Sequence, residues 1–458
     1  MHDPDSGVSK CIEFVLTVLL GSDWLENEDL RKLIHYGDAE TCPIGARIII
    51  RRVDTLWQYE GGPVPFELPL EKLEGVPVLF GEATLENKAG KLLVGADIIA
   101  SSYFLLTRFE EITPRELRDP HGRFPGDESL PYRAGFLDRP IVDEYGNLLR
   151  SWLKRIGVAL EDRPKEARKV YLTHDVDIPY RWHKFTPARR ESVWRFKHPG
   201  NGPFMDPMLN FLGWKQNDPE DCFDWMIEQD AKLQQAWGRD RVEVIYFILT
   251  GGTVLPDGNY SIKSRLIKRL IKKLIRSGAA IGLHTSYEAG QRPEIIENEA
   301  NRLREVCEEE ITLNRHHYLS CREPEDFEYL LKAGIAHDFT MGYPDVAGFR
   351  LGTSRAFSWF DPVQKRQTEL TVHPMTVMEV SLNLKTYMGF NYEEAYAHTM
   401  HLIDQTRRCN GDLNLLWHNS NLTPDLAEAG GYHRNLYERI LNALANKEPG
   451  MERAEGGR

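Results

Sequence analysis

Asp175 and Asp177 stand one residue apart at the end of the run Val170-Tyr171-Leu172-Thr173-His174-Asp175-Val176-Asp177. The apolar and β-branched residues before them predict a buried strand. Alternate residues of a strand point the same way, so both carboxylates can face one site while Val176 packs away. Two acids on one rigid mount repel unless they share a cation or hold different protonation states. Such a pair suits metal-assisted hydrolysis, with one carboxylate ligating an ion and the other taking a proton from metal-bound water. Taken alone, Asp-x-Asp also fits a solvated acidic turn.

Polar residues fall at similar places further along. His284 ends the run Ile281-Gly282-Leu283-His284, and Arg315, His316 and His317 lie within a strand-like stretch at 312–318. Asp338 lies in 336–340, and His418 follows Leu413-Asn414-Leu415-Leu416-Trp417. Parallel α/β architectures build their sites at the C-terminal ends of strands. Five strands that each carry Asp, His or Arg to one rim point to a site, although any single histidine also fits a hydrogen-bonded core role.

The elements that must position these residues form an alternating series. Strands are expected at 170–175, 242–249, 279–284, 312–318, 336–340, 376–380 and 413–417. Amphipathic helices separate them, most clearly at 261–276, where Ile262, Leu266, Leu270, Ile271 and Leu274 share one face. Repeated βα units imply a mostly parallel sheet, open or closed into a barrel. Before them, residues 11–20, 46–53 and 76–80 read as strands, and 98–111 and 142–156 as helices. The charged stretch 161–168 reads as a linker. Residues 179–217 are rich in Trp, Phe and Arg without a sustained period. They suit either a cover over the site or a loop packed on its own barrel.

Composition narrows the class. The 458 residues are 41% hydrophobic and 28% charged, as in ordinary globular proteins. A formal charge of -12 argues against a general nucleic-acid binder. Six scattered cysteines without a Cys-x-x-Cys pair read as reduced thiols. The apolar stretch from Cys11 is broken by Glu13 and lacks a basic lead, so neither a signal peptide nor a membrane span is expected, and a cytoplasmic location follows. Gly251-Gly252-Thr253 lacks the spacing and the Lys of a phosphate loop.

In order, these motifs resemble the metal-dependent polysaccharide deacetylases (carbohydrate esterase family four, NodB-like). The matching segments are Thr173-His174-Asp175-Val176-Asp177, His284-Thr285-Ser286-Tyr287-Glu288, Arg315-His316-His317-Tyr318, Asp338 and Leu415-Leu416-Trp417-His418. Gly348-Phe349-Arg350-Leu351-Gly352-Thr353-Ser354 resembles a divergent bacterial branch with an extra N-terminal domain. The resemblance implies an α/β fold, a deformed (β/α) barrel of about seven parallel strands preceded by a smaller α/β domain. The division expected is 1–165, 166–447 and a disordered tail at 448–458.

It also implies N-acetyl removal from a glycan or glycan precursor of the cell envelope. Asp175 would be the base, His418 the acid poised by Asp338, and Arg315 would orient Asp175. Asp177 and His284 would hold a divalent metal, zinc first. Glu288 stands where the family has its second metal-binding His, so His317 is the first choice for the third ligand, with Glu288 or an incomplete site as the alternatives. Arg350, Thr353, Ser354, Tyr287 and Trp417 are the expected substrate contacts. Two other classes stay open: a catalytically weak relative that binds glycan or a partner, and an Asp-x-Asp glycosyltransferase. The N-terminal domain carries no chemical motif; shaping the groove, forming a homo-oligomer and docking to a synthesis complex are its open roles.

Overall fold

The computed structural model describes residues 4–58, 64–112, 116–214, 218–257, 260–322, 324–423 and 431–446. The expected tail at 448–458 lies outside the described residues. The chain forms two compact units that interleave in sequence. The first comprises Met1–Arg168, Met341–Pro374 and Asp404–Asp412; the second comprises Lys169–Thr340, Met375–Ile403 and Leu413–Arg458.

In the first unit, strands β1 (Ile34–Tyr36), β2 (Ile48–Ile50), β5 (Gly81–Lys88) and β6 (Lys91–Ala96) make a sheet in the order β1-β2-β6-β5. The short strands β3 (Lys72–Leu73) and β4 (Val76–Pro77) pair separately. Residues 11–20, expected as a strand, lie instead in the helix Pro4–Leu20. Cys11, Phe14, Val15, Leu16, Leu19 and Leu20 are buried there, a three-to-four spacing that outweighs the local β-branched character. The expected helices are found as Ile98–Leu106 and Ile141–Arg155.

The second unit contains β7 (Lys169–Val176), β8 (Val242–Leu249), β9 (Ala280–Thr285), β10 (Leu313–His316) and β11 (His337–Asp338). Strands β12 (Phe357–Asp361) and β13 (Arg366–Val372) form an antiparallel hairpin of the first unit. The chain then returns through β14 (Val377–Met378) and β15 (Asp412–Leu416). Neighbours run β11-β10-β9-β8-β7-β15-β14, and every pair with a resolved register among them is parallel. This is the mixed α/β, parallel-rich architecture that alternating strand and helix signals require.

Strands buried on both faces explain the near-continuous apolar runs: Val242–Leu249 is buried at all but one position. The helix Arg265–Ser277 buries Leu266, Ile267, Leu270, Ile271 and Leu274, each stabilising by about 1.5–3 kcal/mol. Its Ser264 N-cap accepts from the Ile267 N–H, and Gly278 ends it in the left-handed region. The aromatic segment, expected to lack a period, contains the helices Phe185–Lys197 and Asp206–Phe211. None of the six cysteines is in a disulfide. No helix among the described residues is long and apolar enough to cross a membrane.

Candidate metal centre and active site

Parallel register sets the site. Arg315 on β10 lies opposite His284 on β9, and His284 lies opposite Leu249 on β8. Asp175 is the next-to-last residue of β7, with Asp177 one step beyond the strand. The C-terminal strand ends thus converge, and the polar residues they carry meet.

Asp177, His284 and His317 each offer one atom to a cluster in which all three atoms lie within 4.8 Å of one another. His284 Nε2 is 3.3 Å and His317 Nε2 3.6 Å from Asp177 Oδ1. The tautomers are set from behind. His284 Nδ1 lies 2.9 Å from the Arg315 carbonyl, and His317 Nδ1 lies 2.7 Å from Asp257 Oδ1. Both acceptors call for a proton on Nδ1, which leaves each Nε2 lone pair facing Asp177. A carboxylate or carbonyl behind a histidine is the usual support of a metal ligand. His284 Nε2 and Asp177 Oδ1 are buried and have no hydrogen-bond partner. One oxygen and two nitrogens with converging tips fit a divalent ion.

The charges are arranged to match. Burial opposes ionisation of Asp177, but His317, His284 and His418 outweigh it and hold the carboxyl well below its usual range. Burial likewise opposes charge on His317, and Asp177 with Asp257 raise its imidazole to about 9. That negative field attracts a proton or a metal ion to the same lone pair.

Asp175 sits beside this cluster, buried, with Arg315 Nη1 at 2.9 Å from its Oδ1. Arg315 is itself fixed by the Phe339 carbonyl at 3.0 Å and lies over the Phe247 ring. His418 Nε2 is 3.8 Å from Asp175 Oδ2 and 3.9 Å from Asp177 Oδ2. Behind it, Glu379 Oε1 lies 2.8 Å from both His418 Nδ1 and the His418 backbone N–H. Burial works against a charged His418; Glu379, then Asp177 and Asp175, reverse this and raise it to about 10. His418 and Asp175 therefore flank the cluster.

Several expectations need correction. Asp338 does not poise His418. It pairs in register with Asn314, on the face of β10 opposite Arg315, and accepts from Asn314 Nδ2 at 2.8 Å and Thr340 Oγ1 at 2.7 Å. Glu379 takes the place expected for it. Trp417 is not a substrate surface: its side chain is fully buried, with its ring 5.1 Å from that of Tyr437. Glu288 accepts from the N–H and hydroxyl of Thr253 and pairs with Arg292 at 3.1 Å, so its oxygens are engaged away from the cluster. In the first unit, buried Arg350 pairs with Glu111 at 2.5 Å and donates to the Gly342 carbonyl. There too, Thr353 and Ser354 donate to Asp143. This glycine-bounded loop spends its polar atoms on internal contacts rather than on a substrate. Tyr287 is half-buried, edge-on to Tyr318, with its N–H donating to Asp257.

Asp257 and Glu379 had gone unassigned. Glu379 was within reach of sequence reasoning, because it falls in the strand-like run at 376–380 as Asp338 falls in its own. Asp257 lies in a Pro-Asp-Gly turn that carries no chemical signal. Gly252 lets it in: at φ +87°, a Cβ there would lie 2.2 Å from the Asp257 Cβ.

The model of a family of unknown function, DUF7033, matches residues 11–157. No curated protein matches the chain. Among solved structures, the chain is similar to a provisionally named polysaccharide deacetylase from Mycobacterium smegmatis, at 12% identity and a TM-score of 0.34. That match covers 66% of this chain and 97% of the other. It is also similar to a polysaccharide deacetylase from Bacillus cereus, at 11% identity and a TM-score of 0.30, covering 64% and 95%. Likenesses this faint leave the chemistry to the side chains.

Proposed function

We propose that the chain is a metal-dependent hydrolase of amide bonds, acting on the N-acetyl groups of a glycan or glycan precursor of the cell envelope. The observation that carries this reading is the convergence of Asp177, His284 and His317, with Asp177 Oδ1 and His284 Nε2 unpartnered, between Asp175 and His418. Asp177, His284 and His317 would hold the ion, with zinc the best match to mixed N and O donors. Bound there, it would polarise an acetamide carbonyl and make water a stronger acid.

Asp175 takes the water's proton, and Arg315 fixes the carboxylate and keeps its other oxygen turned to the site. His418, held in its tautomer by Glu379, gives a proton to the departing amine nitrogen. Each of these two proton transfers is worth roughly 10²–10⁴ in rate. Tyr287, beside the centre and half-buried, is the retained candidate for a sugar contact. The sheet that presents these residues at its C-terminal rim is read as a deformed (β/α) barrel of about seven strands.

The test is metal content followed by acetate release from N-acetylated oligosaccharides. Asp177→Asn, His284→Ala and His317→Ala are expected to lose most of the metal bound at this centre and all acetate release, while Glu288→Gln keeps both. A fully metallated His317→Ala variant, or a metal-loaded wild type that releases no acetate, overturns the reading.

A further inference from the structure

Strand β10 carries polar residues on both faces. Arg315, and His317 just past the strand end, turn to the centre above, whereas Asn314 and His316 lie on the other side, where His316 is fully buried. There its ring faces Asp326, in the first turn of the helix Glu325–Lys332, and Cys321 in the connection between them. One donor atom each from His316, Cys321 and Asp326 lie within 4.8 Å of one another.

His316 and Asp326 do not hydrogen-bond to each other in this cluster. His316 Nε2 and Asp326 Oδ2 are 3.7 Å apart, too far for a hydrogen bond. His316 Nε2 and Asp326 Oδ1 are both buried without a hydrogen-bond partner. Leaving a buried polar group unsatisfied is unfavourable, so two in one place call for a ligand. Asp326 is held in position by its other oxygen, which accepts from the Arg322 N–H at 2.6 Å.

The far side of the His316 ring is equipped for ligation. Nδ1 lies 3.3 Å from Thr340 Oγ1, whose own hydrogen goes to Asp338 Oδ1 at 2.7 Å. Asn314 Nδ2, 3.1 Å from the same Nδ1, gives one of its two hydrogens to Asp338 Oδ1. With the proton on Nδ1, Thr340 Oγ1 accepts it and the Nε2 lone pair faces Cys321 and Asp326; a bound ion selects this tautomer. A side-chain oxygen behind the ring is again the support a metal-bound histidine uses.

We infer that His316, Cys321 and Asp326 form a second cation site, chemically unlike the centre at Asp177, that takes a borderline-soft divalent ion such as zinc. Thiolate, imidazole and carboxylate together select zinc or cobalt over calcium and magnesium, which prefer oxygen-only shells. Binding releases the thiol proton of Cys321 to solvent, and the thiolate and carboxylate then balance the ion's charge. The three ligands come from β10, from the connection after it and from the following helix, so the ion would clip this connection together. The connection includes Tyr318 and Leu319, held at φ +60° and +54°.

Cobalt(II) titrated into the chelator-stripped full chain distinguishes the two centres, because only this one has a sulfur ligand. A thiolate-to-cobalt charge-transfer band is expected to saturate by two equivalents, one for each centre, and Cys321→Ser should abolish it. Asp177→Asn should retain the band, so failure of the catalytic reading leaves this test intact. Cys321 is only half-buried, which makes serine a mild replacement, and circular dichroism checks the fold. Asp326→Asn, which keeps the shape, should also lose the band. No thiolate band in the wild type, or one that survives Cys321→Ser, overturns the second site.

Discussion

His418 illustrates how much a single residue's chemistry depends on what stands behind it. Its type and place at a strand end were legible in the sequence, but its partner was not. Asp338 and Glu379 both close strand-like runs, and only the register separates them. Asp338 shares a β10-side face with Asn314, whereas Glu379 meets Nδ1 of His418 at 2.8 Å. The raised pKa of about 10 keeps His418 protonated, as an acid must be, until the pH climbs through that value. Activity should therefore fall on the alkaline side as His418 loses its proton. Glu379→Gln removes the principal charge that raises it and should move that limb to lower pH, in a profile of kcat against pH. Asp338→Asn should leave the limb in place. A Glu379→Gln profile that superimposes on the wild type would remove Glu379 from this role.

At the scale of elements, what the sequence showed best was periodicity sustained over a dozen residues. The helix at 265–277 has five buried aliphatics on one face and a serine cap, and its pattern admits one reading. The helix Pro4–Leu20 was missed because Phe14 to Leu20 is dense enough in apolar and β-branched residues to hide a three-to-four spacing. Loops were least legible, since their partners are chosen by tertiary approach. The Gly251-Gly252-Thr253 loop after β8 is the case in point: it is no phosphate loop, yet it makes room for Asp257 behind His317. Gly252→Ala would force a left-handed backbone on alanine and push its Cβ into Asp257. With that support displaced, metal affinity at the Asp177 centre should drop by about 10–100-fold. The comparison is metal dissociation constants of the two proteins at equal pH. Equal constants would mean that Asp257 does not govern His317.

On the scale of the whole molecule, the units are not successive lengths of chain, and a linear reading could not have drawn them. Residues 341–374 and 404–412 return to the first unit after most of the second has been made. What they bring is specific. Arg350 neutralises Glu111, which is buried and held as a carboxylate against burial by Arg350 and Arg108. Thr353 Oγ1, Ser354 Oγ and the Ser354 N–H satisfy the carboxylate of buried Asp143, and Asp345 accepts from the Gly126 N–H at 2.9 Å. A fragment ending at Arg168 keeps Glu111 and Asp143 but loses these partners. Removing one side of a buried ion pair typically costs about 3–5 kcal/mol, and a domain's whole stability is on the order of 5–15 kcal/mol. Losing that pair together with the hydrogen bonds to Asp143 leaves little margin. The fragment 1–168 should therefore show no cooperative thermal transition. In the full chain, Arg350→Met should lower stability by about 3–5 kcal/mol in a denaturant titration. Independent, cooperative melting of the fragment would show instead that residues 341–374 only decorate a unit already complete without them.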